Sequence, residues 1–222
     1  MSEYALTRAR VEEYFDRTAT KAWERLTTDA KVSRIRQTVR KGRDQMRELM
    51  ISRLPQDLRG ARILDAGCGT GAMSTELAMR GATVTAVDIS PRLVQIAQDR
   101  LAPALQPQVR FLAGDMTDEA LGSFDYVLAM DSLIYYTAPD IGRVLSRLSE
   151  RTQNTIVFTV APRTPFLMTF WMMGKLFPRS DRSPVMIPHS LPLLKTHLGA
   201  GLDRVGRINS GFYISDCLEL RT

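Results

Sequence analysis

The stretch Ile63-Leu64-Asp65-Ala66-Gly67-Cys68-Gly69-Thr70-Gly71 decides how the rest of the chain is read. Arg62 to Asp65 reads as a short buried strand that ends in a carboxylate. Three glycines at alternate positions follow, and a helix-like run begins at Ala72. Glycine allows a tight strand-to-helix turn and lets a ligand lie directly against the backbone. A turn of this kind at the carboxyl end of a parallel strand is where open α/β sheets bind nucleotides.

Outward from this stretch the chain alternates between strand and helix. The helix over 72–80 stops at Gly81, and a β-branched strand over 83–87 ends in Asp88. A helix over 91–102 leads to a third strand, 109–112, and then to Gly114-Asp115-Met116. The fourth strand, 126–130, exits at Asp131-Ser132-Leu133-Ile134-Tyr135-Tyr136, and the fifth spans 155–160. This order predicts a mostly parallel sheet wound on both faces. Residues 203–209 and 212–220 alternate in polarity around Ser210-Gly211, which predicts a closing antiparallel hairpin. Upstream, a helix is expected over 4–28, with Val11, Tyr14, Phe15, Ala19 and Trp23 as its stripe. A second is expected over 32–54, with Val32, Ile35, Val39, Met46 and Leu49 buried. The expected division is an amino-terminal helical segment, 1–58, and a core, 59–222, that includes a lid over 162–190.

A chain of 222 residues with 44% hydrophobic content suits one α/β domain with an elaboration. No stretch reaches the roughly 18 uninterrupted apolar residues of a membrane span, and the amino terminus lacks the apolar centre of a signal peptide. Cys68 and Cys217 are the only cysteines, which argues against a disulfide framework and a zinc site and for a reducing, cytoplasmic setting. Of the net charge of +6, about +7 falls between Lys31 and Arg62. Such a field attracts an anionic ligand, lipid or nucleic acid, although each single cation there reads first as part of a solvated face.

The glycines alone also fit Gly67-x-Gly69-x-x-Ala72, a form of the dinucleotide fingerprint. Asp65 tips the balance, because a carboxylate at that strand end can pair with the amino group of S-adenosylmethionine. Asp88 lies 23 positions later, the spacing that sets a carboxylate beside ribose hydroxyls. It also precedes Ser90-Pro91, where it can brace a helix start. Asp115 can accept from an adenine amino group. No Asn/Asp-Pro-Pro-aromatic run and no Pro-Cys nucleophile follow strand four, which argues against two classes of nucleic-acid methylation. No His/Asp/Glu cluster has metal-ligand spacing, so no metal site is expected. An ionised carboxylate acceptor would fit the lack of an obvious base.

After strand five comes an aromatic, methionine-rich insert, Pro162 to Pro178, followed by Arg179-Ser180-Asp181-Arg182. It suits three readings: a wall for a large flat apolar ligand, a core helix, or a membrane-surface patch.

The motif Asp65-x-Gly67-x-Gly69-x-Gly71 resembles motif I of the seven-strand methyltransferases. The resemblance implies a Rossmann-like class I methyltransferase fold of seven strands with an N-terminal helical extension and a lid insert after strand five. The whole chain is similar to the magnesium-protoporphyrin IX methyltransferases of chlorophyll and bacteriochlorophyll synthesis, most of all to the purple-bacterial form. The similarity rests on Tyr14-Phe15, Trp23, Arg40-x-Gly42, the Asp65–Gly71 loop, Asp88-Ile89-Ser90 and Asp131-x-Leu133-Ile134-x-Tyr136. It continues through Ala161-Pro162-x-Thr164, Leu176-Phe177-Pro178 and His189-Ser190.

It implies O-methylation of the ring-C propionate of Mg-protoporphyrin IX by S-adenosylmethionine, to give the monomethyl ester. Arg40 matches the family's Arg-x-Gly and is the choice for the cofactor carboxylate. Gly67, Gly69, Gly71, Ile89, Met116 and Met130 join Asp65, Asp88 and Asp115 on the cofactor wall. Tyr135 stands where related enzymes often carry histidine, and Tyr135 or Tyr136 is expected to orient the acceptor. Tyr14, Phe15, Arg163, Phe166, Met168, Phe170, Trp171 and His189 are the substrate-side candidates. His189 also reads as a helix-start residue with a structural hydrogen bond. The resemblance further implies contact with the large porphyrin-binding subunit of magnesium chelatase and loose association with the photosynthetic membrane, with no nucleic acid. The rival readings are a methyltransferase for another lipophilic acceptor and a non-catalytic partner of the chelatase.

Overall fold

The computed structural model describes residues 3–16, 34–165, 167–169 and 184–222. Two helices come first, α1 (Glu3–Tyr14) and α2 (Arg34–Ile51). The alternating part follows as β1 (Arg62–Ala66), α3 (Ala72–Met79), β2 (Thr83–Asp88), α4 (Pro91–Arg100), β3 (Val109–Ala113) and β4 (Phe124–Ala129). The remainder is α5 (Ala138–Ser149), β5 (Thr152–Val160), α6 (Leu191–Leu198), β6 (Leu202–Ser210) and β7 (Tyr213–Arg221). The helix expected over 4–28 is described as α1 with one wider turn at 15–16, and Trp23 lies outside the described residues. So do Phe166, Phe170, Trp171 and the Leu176-Phe177-Pro178 motif.

The seven strands form one sheet in the order β3-β2-β1-β4-β5-β7-β6. Strands β1 to β5 pair in parallel, and β7 is antiparallel to both of its neighbours. The interior strands β1 and β5 are buried continuously over 63–66 and 155–160 because helices cover both faces. Successive residues of β1 therefore enter different cores. Ile63 joins Met46, Met50, Leu77 and Val157 on one face, and Leu64 joins Phe124, Leu145, Phe158 and Leu194 on the other. Each such fully buried side chain contributes roughly 1.5–3 kcal/mol relative to exposure.

Local chemistry sets the helix starts. Pro91 opens α4 with its fixed φ, and the Ser90 hydroxyl accepts from the Leu93 N–H at 3.3 Å. Thr137 caps α5 in the same way through the Asp140 N–H.

Although α2 precedes the sheet in sequence, it belongs to the core. Met46, Met50 and Ile51 are fully buried, and the helix lies against the β6–β7 hairpin. Gly42 makes this approach possible: a Cβ there would stand 2.6 Å from the Tyr213 ring. Ser210 Oγ donates to the Thr38 carbonyl at 2.8 Å, and Arg53 pairs with Glu219 at 2.9 Å. The covering part of the amino-terminal segment is α1.

The returning end of the insert is tied to two strand exits. The Ile187 N–H donates to the Ile134 carbonyl and the His189 N–H to the Ala161 carbonyl, each at 2.8 Å. The Arg163 N–H closes the pair on the His189 carbonyl at 2.9 Å.

Candidate active site

The strand order reverses between β1 and β4, so their connections leave the sheet in opposite directions and open a crevice at its carboxyl edge. Asp65 of β1 pairs with Leu128 of β4, so the two strands feed that crevice side by side. A cavity of about 260 Å³ occupies it. Its sheet-edge wall includes Asp65, Gly67, Gly69, Asp88, Met130 and Asp131, while α2 contributes Arg40, Arg43, Arg47 and Asp44, the last paired with Arg47 at 2.8 Å.

The glycine loop is shaped by its neighbours. Gly67 has φ 90°, and a Cβ there would lie 2.3 Å from the Ser132 Cβ. A Cβ on Gly69 would meet no protein atom within 4 Å, so the space above it belongs to the cavity. Gly71 does not line the cavity. It faces Ala97 and Phe111, where a Cβ would come within 3.0 and 3.3 Å.

Two carboxylates on the cavity floor are buried. Asp65 accepts from Ser74 Oγ at 2.5 Å, and burial, with the charge of Asp88 adding to it, raises its pKa to about 7. Asp88 accepts from the Gly69 N–H at 2.8 Å and the Ser90 N–H at 2.9 Å. Burial outweighs these bonds and raises its pKa to about 6. Asp88 therefore braces both the glycine loop and the start of α4 while still lining the cavity. Each carboxylate oxygen keeps lone-pair capacity for a ligand.

Asp115 is placed differently. Its Oδ1 accepts from Tyr4 OH (2.9 Å), the Thr117 N–H and Thr117 Oγ (both 2.8 Å), and its Oδ2 from Arg8 (2.7 Å). These donors hold its pKa below the usual carboxylate value against the opposing effect of burial. Its neighbours Gly114 and Met116 line the cavity; the Asp115 side chain holds α1. The helix is anchored at its other end by Ser90 Oγ donating to Asp16 and by Arg92 reaching the Asp16 carbonyl at 2.8 Å. Between the anchors, Val11 and Phe15 cover the cavity against Leu93, with Tyr14, Ile89, Ile96 and Tyr135 around them.

At the β4 exit, Asp131 has φ 55°, the one positive-φ non-glycine among the described residues. Its carboxylate accepts from Arg43 (2.6 Å), Tyr213 OH (3.0 Å) and Thr159 Oγ (3.2 Å), and its N–H donates to Thr159 Oγ at 2.7 Å. Tyr135 and Tyr136 follow on the same wall. Tyr136 stacks on Tyr4 with centroids 5.1 Å apart, and Phe15 meets Tyr135 edge-on at 6.2 Å. Burial raises both phenol pKa values well above their ordinary range, so both hydroxyls stay protonated.

The cavity thus brings together Arg40, Asp65, Gly67, Gly69, Asp88, Ile89, Met116, Met130, Phe15, Tyr135 and Tyr136 from the sequence candidates. Gly71, Asp115, Tyr14, Arg163, Met168 and His189 stand off its wall. Arg163 is exposed and Met168 is half-buried. His189 is buried, with Nε2 2.9 Å from the Tyr136 carbonyl, and burial lowers its pKa, so it is neutral. That is the structural hydrogen bond the helix-start reading anticipates. Sequence reasoning missed Tyr4, Arg43, Arg47, Asp131 and Ser132 as site residues. The i, i+3, i+7 spacing of Arg40, Arg43 and Arg47 on one helix face carries a signal for two of them. Cavity carboxylates at the sheet edge and guanidinium groups on α2 suit a ligand with an ammonium, a carboxylate and a hydroxylated sugar.

Comparison with known proteins is consistent in both halves. A family model described as "Methyltransferase domain" matches residues 63–154, and one described as "Magnesium-protoporphyrin IX methyltransferase C-terminus" matches residues 129–222. The chain is 66% identical over 221 residues to the magnesium-protoporphyrin O-methyltransferase of Rhodobacter capsulatus, covering 99% of each. It is 31% identical to the Synechocystis protein of the same name, covering 94% of each. A crystal structure of magnesium protoporphyrin IX methyltransferase from Synechocystis with bound S-adenosylhomocysteine superposes with a TM-score of 0.84 at 28% identity, over 96% of this chain and 99% of that one.

Proposed function

Because this chain belongs to the magnesium-protoporphyrin O-methyltransferase family, we infer that it transfers a methyl group from S-adenosylmethionine to a propionate of Mg-protoporphyrin IX. The acceptor we propose is the ring-C propionate, and the products are the monomethyl ester and S-adenosylhomocysteine. The observation that carries the reading is the switch-point cavity, with carboxylates on the sheet edge and guanidinium groups on α2.

When bound, S-adenosylmethionine supplies a methyl group activated on a sulfonium, so the protein's task is position and exclusion of water. Asp65 is proposed to hold its ammonium and Asp88 its ribose hydroxyls. Arg40, on the wall shared with Arg43 and Arg47, takes the carboxylate. Gly67 and Gly69 let the ligand lie against the backbone. Gly114 and Met116 face the adenine end, since four hydrogens already occupy the Asp115 carboxylate.

The acceptor is a carboxylic acid, already ionised at neutral pH, so no base has to remove a proton. Tyr135 and Tyr136 fit that requirement. Their hydroxyls stay protonated, so they can donate a hydrogen bond that orients the acceptor oxygen. Val11 and Phe15 of α1 exclude water from above. His189 supports the tyrosine wall through the Tyr136 carbonyl. Tyr14, Arg163, Met168, Phe166, Phe170 and Trp171 are proposed for the porphyrin side, the last three lying outside the described residues.

A chromatographic assay with S-adenosylmethionine and Mg-protoporphyrin IX, run beside metal-free protoporphyrin, tests the reading. A monoester formed together with S-adenosylhomocysteine is expected, with preference for the metallated pigment. Cofactor binding without ester would remove the acceptor assignment. On the same premise we propose contact with the chelatase's large subunit and loose attachment to the photosynthetic membrane from the cytoplasm. Co-purification with that subunit and flotation with anionic vesicles test these two points separately.

A further inference from the structure

Tyr4 and Tyr136 are remote in the chain and meet face to face, with ring centroids 5.1 Å apart and planes inclined by 28°. Both line the cavity. Helix α1 buries only Val11 along its length, and its carboxyl end meets Leu93 in a small cluster around Phe15. Its first turn does something different. There Tyr4 packs on the main core, against a cluster that includes Leu133, Tyr136 and Ala138. The two ends of α1 thus grip two adjacent residues: Phe15 meets Tyr135 edge-on, and Tyr4 stacks on Tyr136.

The hydroxyl and the ring of Tyr4 serve separate ends. The hydroxyl donates to Asp115 at 2.9 Å, beside Arg8 on the other carboxylate oxygen, and so anchors the helix. Burial, and after it the neighbouring Tyr136, raise the Tyr4 pKa, so the hydroxyl stays a donor committed to Asp115. The ring covers Tyr136, whose backbone is already fixed. The Tyr136 N–H donates to the Leu133 carbonyl at 3.2 Å, and its carbonyl lies 2.9 Å from His189 Nε2. What remains is rotation of the phenol about its side-chain torsions, and a ring face at stacking distance restricts it.

We propose that Tyr4 is the positioning residue for Tyr136: its ring holds the phenol in the direction that orients the acceptor carboxylate. Enclosing the cofactor and completing the acceptor wall are then one movement of α1. The inference rests on the acceptor reading above. An acceptor that arrives before α1 is seated meets a Tyr136 that can still turn, so methyl transfer waits for enclosure.

The test is steady-state kinetics with S-adenosylmethionine and Mg-protoporphyrin IX, beside calorimetric affinity for S-adenosylhomocysteine. The variants are Tyr4→Phe, which keeps the ring and loses the anchor, Tyr4→Ala, which loses both, Tyr136→Phe, and the Tyr4→Ala/Tyr136→Phe pair. At saturating acceptor, kcat is expected to fall about tenfold in Tyr4→Ala and to recover to within about twofold of the parent in Tyr4→Phe. In the Tyr136→Phe background, Tyr4→Ala is expected to cost almost nothing more, because the hydroxyl it aims is gone. Affinity for S-adenosylhomocysteine should stay within about threefold in both Tyr4 variants, since Arg8 and the Asp16 contacts still hold α1. Equal loss of kcat in Tyr4→Phe and Tyr4→Ala would assign the effect to the anchor and overturn the proposal. A full further loss in the double variant, or unchanged kcat in Tyr136→Phe, would overturn it too, because Tyr4 would then not act through the Tyr136 hydroxyl. Cofactor affinity falling in step with kcat would leave Tyr4 a lid residue only. A parent chain that binds S-adenosylhomocysteine but forms no ester removes the acceptor reading, and this inference falls with it.

Discussion

At Asp65, acidity and ligand binding are coupled. Its pKa of about 7 in the unliganded chain reflects burial first. Pairing with an ammonium favours the charged form and lowers that value, so cofactor binding is expected to release a proton. Affinity for S-adenosylhomocysteine should therefore rise with pH up to about 7 and then level off. Calorimetry at pH 6.5 in buffers of different ionisation enthalpy should detect the released proton, and heats independent of buffer would refute the coupling.

The stability sign is the reverse of that for a salt-bridged aspartate. With the folded pKa raised, the folded state binds more protons than the unfolded one between about pH 4 and 7, so stability falls as pH rises through that window. Asp65→Asn should thus stabilise the unliganded chain at pH 8 by about 1–3 kcal/mol while abolishing tight cofactor binding. Denaturant titration beside ligand titration reads both. For Tyr135→Phe, a fall in turnover of about 10–100-fold with intact cofactor affinity is expected, and unchanged turnover would remove its orienting role. Asp65 and Asp88 were legible because each ends a strand beside a glycine or a helix start. Asp131 and Ser132 were not. Their roles arise from Arg43, Tyr213, Thr159 and Gly67, which are remote from them in sequence.

Elements differ in how firmly they are held. Helix α1 buries only Val11 along its length and is fixed chiefly by polar anchors at Asp115 and Asp16. Elements with few apolar contacts open at low free energy. A Tyr4→Phe/Arg8→Ala double variant, which releases α1 from Asp115, should release S-adenosylhomocysteine about tenfold faster in stopped flow, with a melting temperature within a few degrees of the parent. Equal release rates would mean that α1 does not gate the cavity.

In contrast, α2 is part of the core. Gly42→Ala would drive a methyl group into the Tyr213 ring, costing about 1–3 kcal/mol and loosening the hydroxyl that holds Asp131. Lower stability together with lower turnover is expected, and a fully active variant would show that Tyr213 can move without consequence. The strands and the helices between them were readable from hydrophobic period and turn residues. The docking of α2 on the hairpin was not, because no local pattern announces that Gly42 faces a ring 171 positions away.

Over the whole molecule, both faces of one sheet share their strands, so ligand and fold are thermodynamically linked. At 100 times its Kd, S-adenosylhomocysteine should stabilise the chain by about 2.7 kcal/mol, or roughly 5–10 °C in Tm for a protein of this size. No shift in differential scanning fluorimetry at saturation would contradict binding to the native state. The parallel, doubly wound half of the architecture follows from the strand–helix alternation, and the hairpin from its own polarity. Where the hairpin inserts is a property of the assembled sheet. Strand β7 lies between β5 and β6, yet the ribosome makes it after both. Until it emerges, the nascent chain carries an unpaired apolar β5 edge, and the catalytic crevice lacks the tyrosine that braces Asp131. The crevice is therefore completed last, by the strand that is made last.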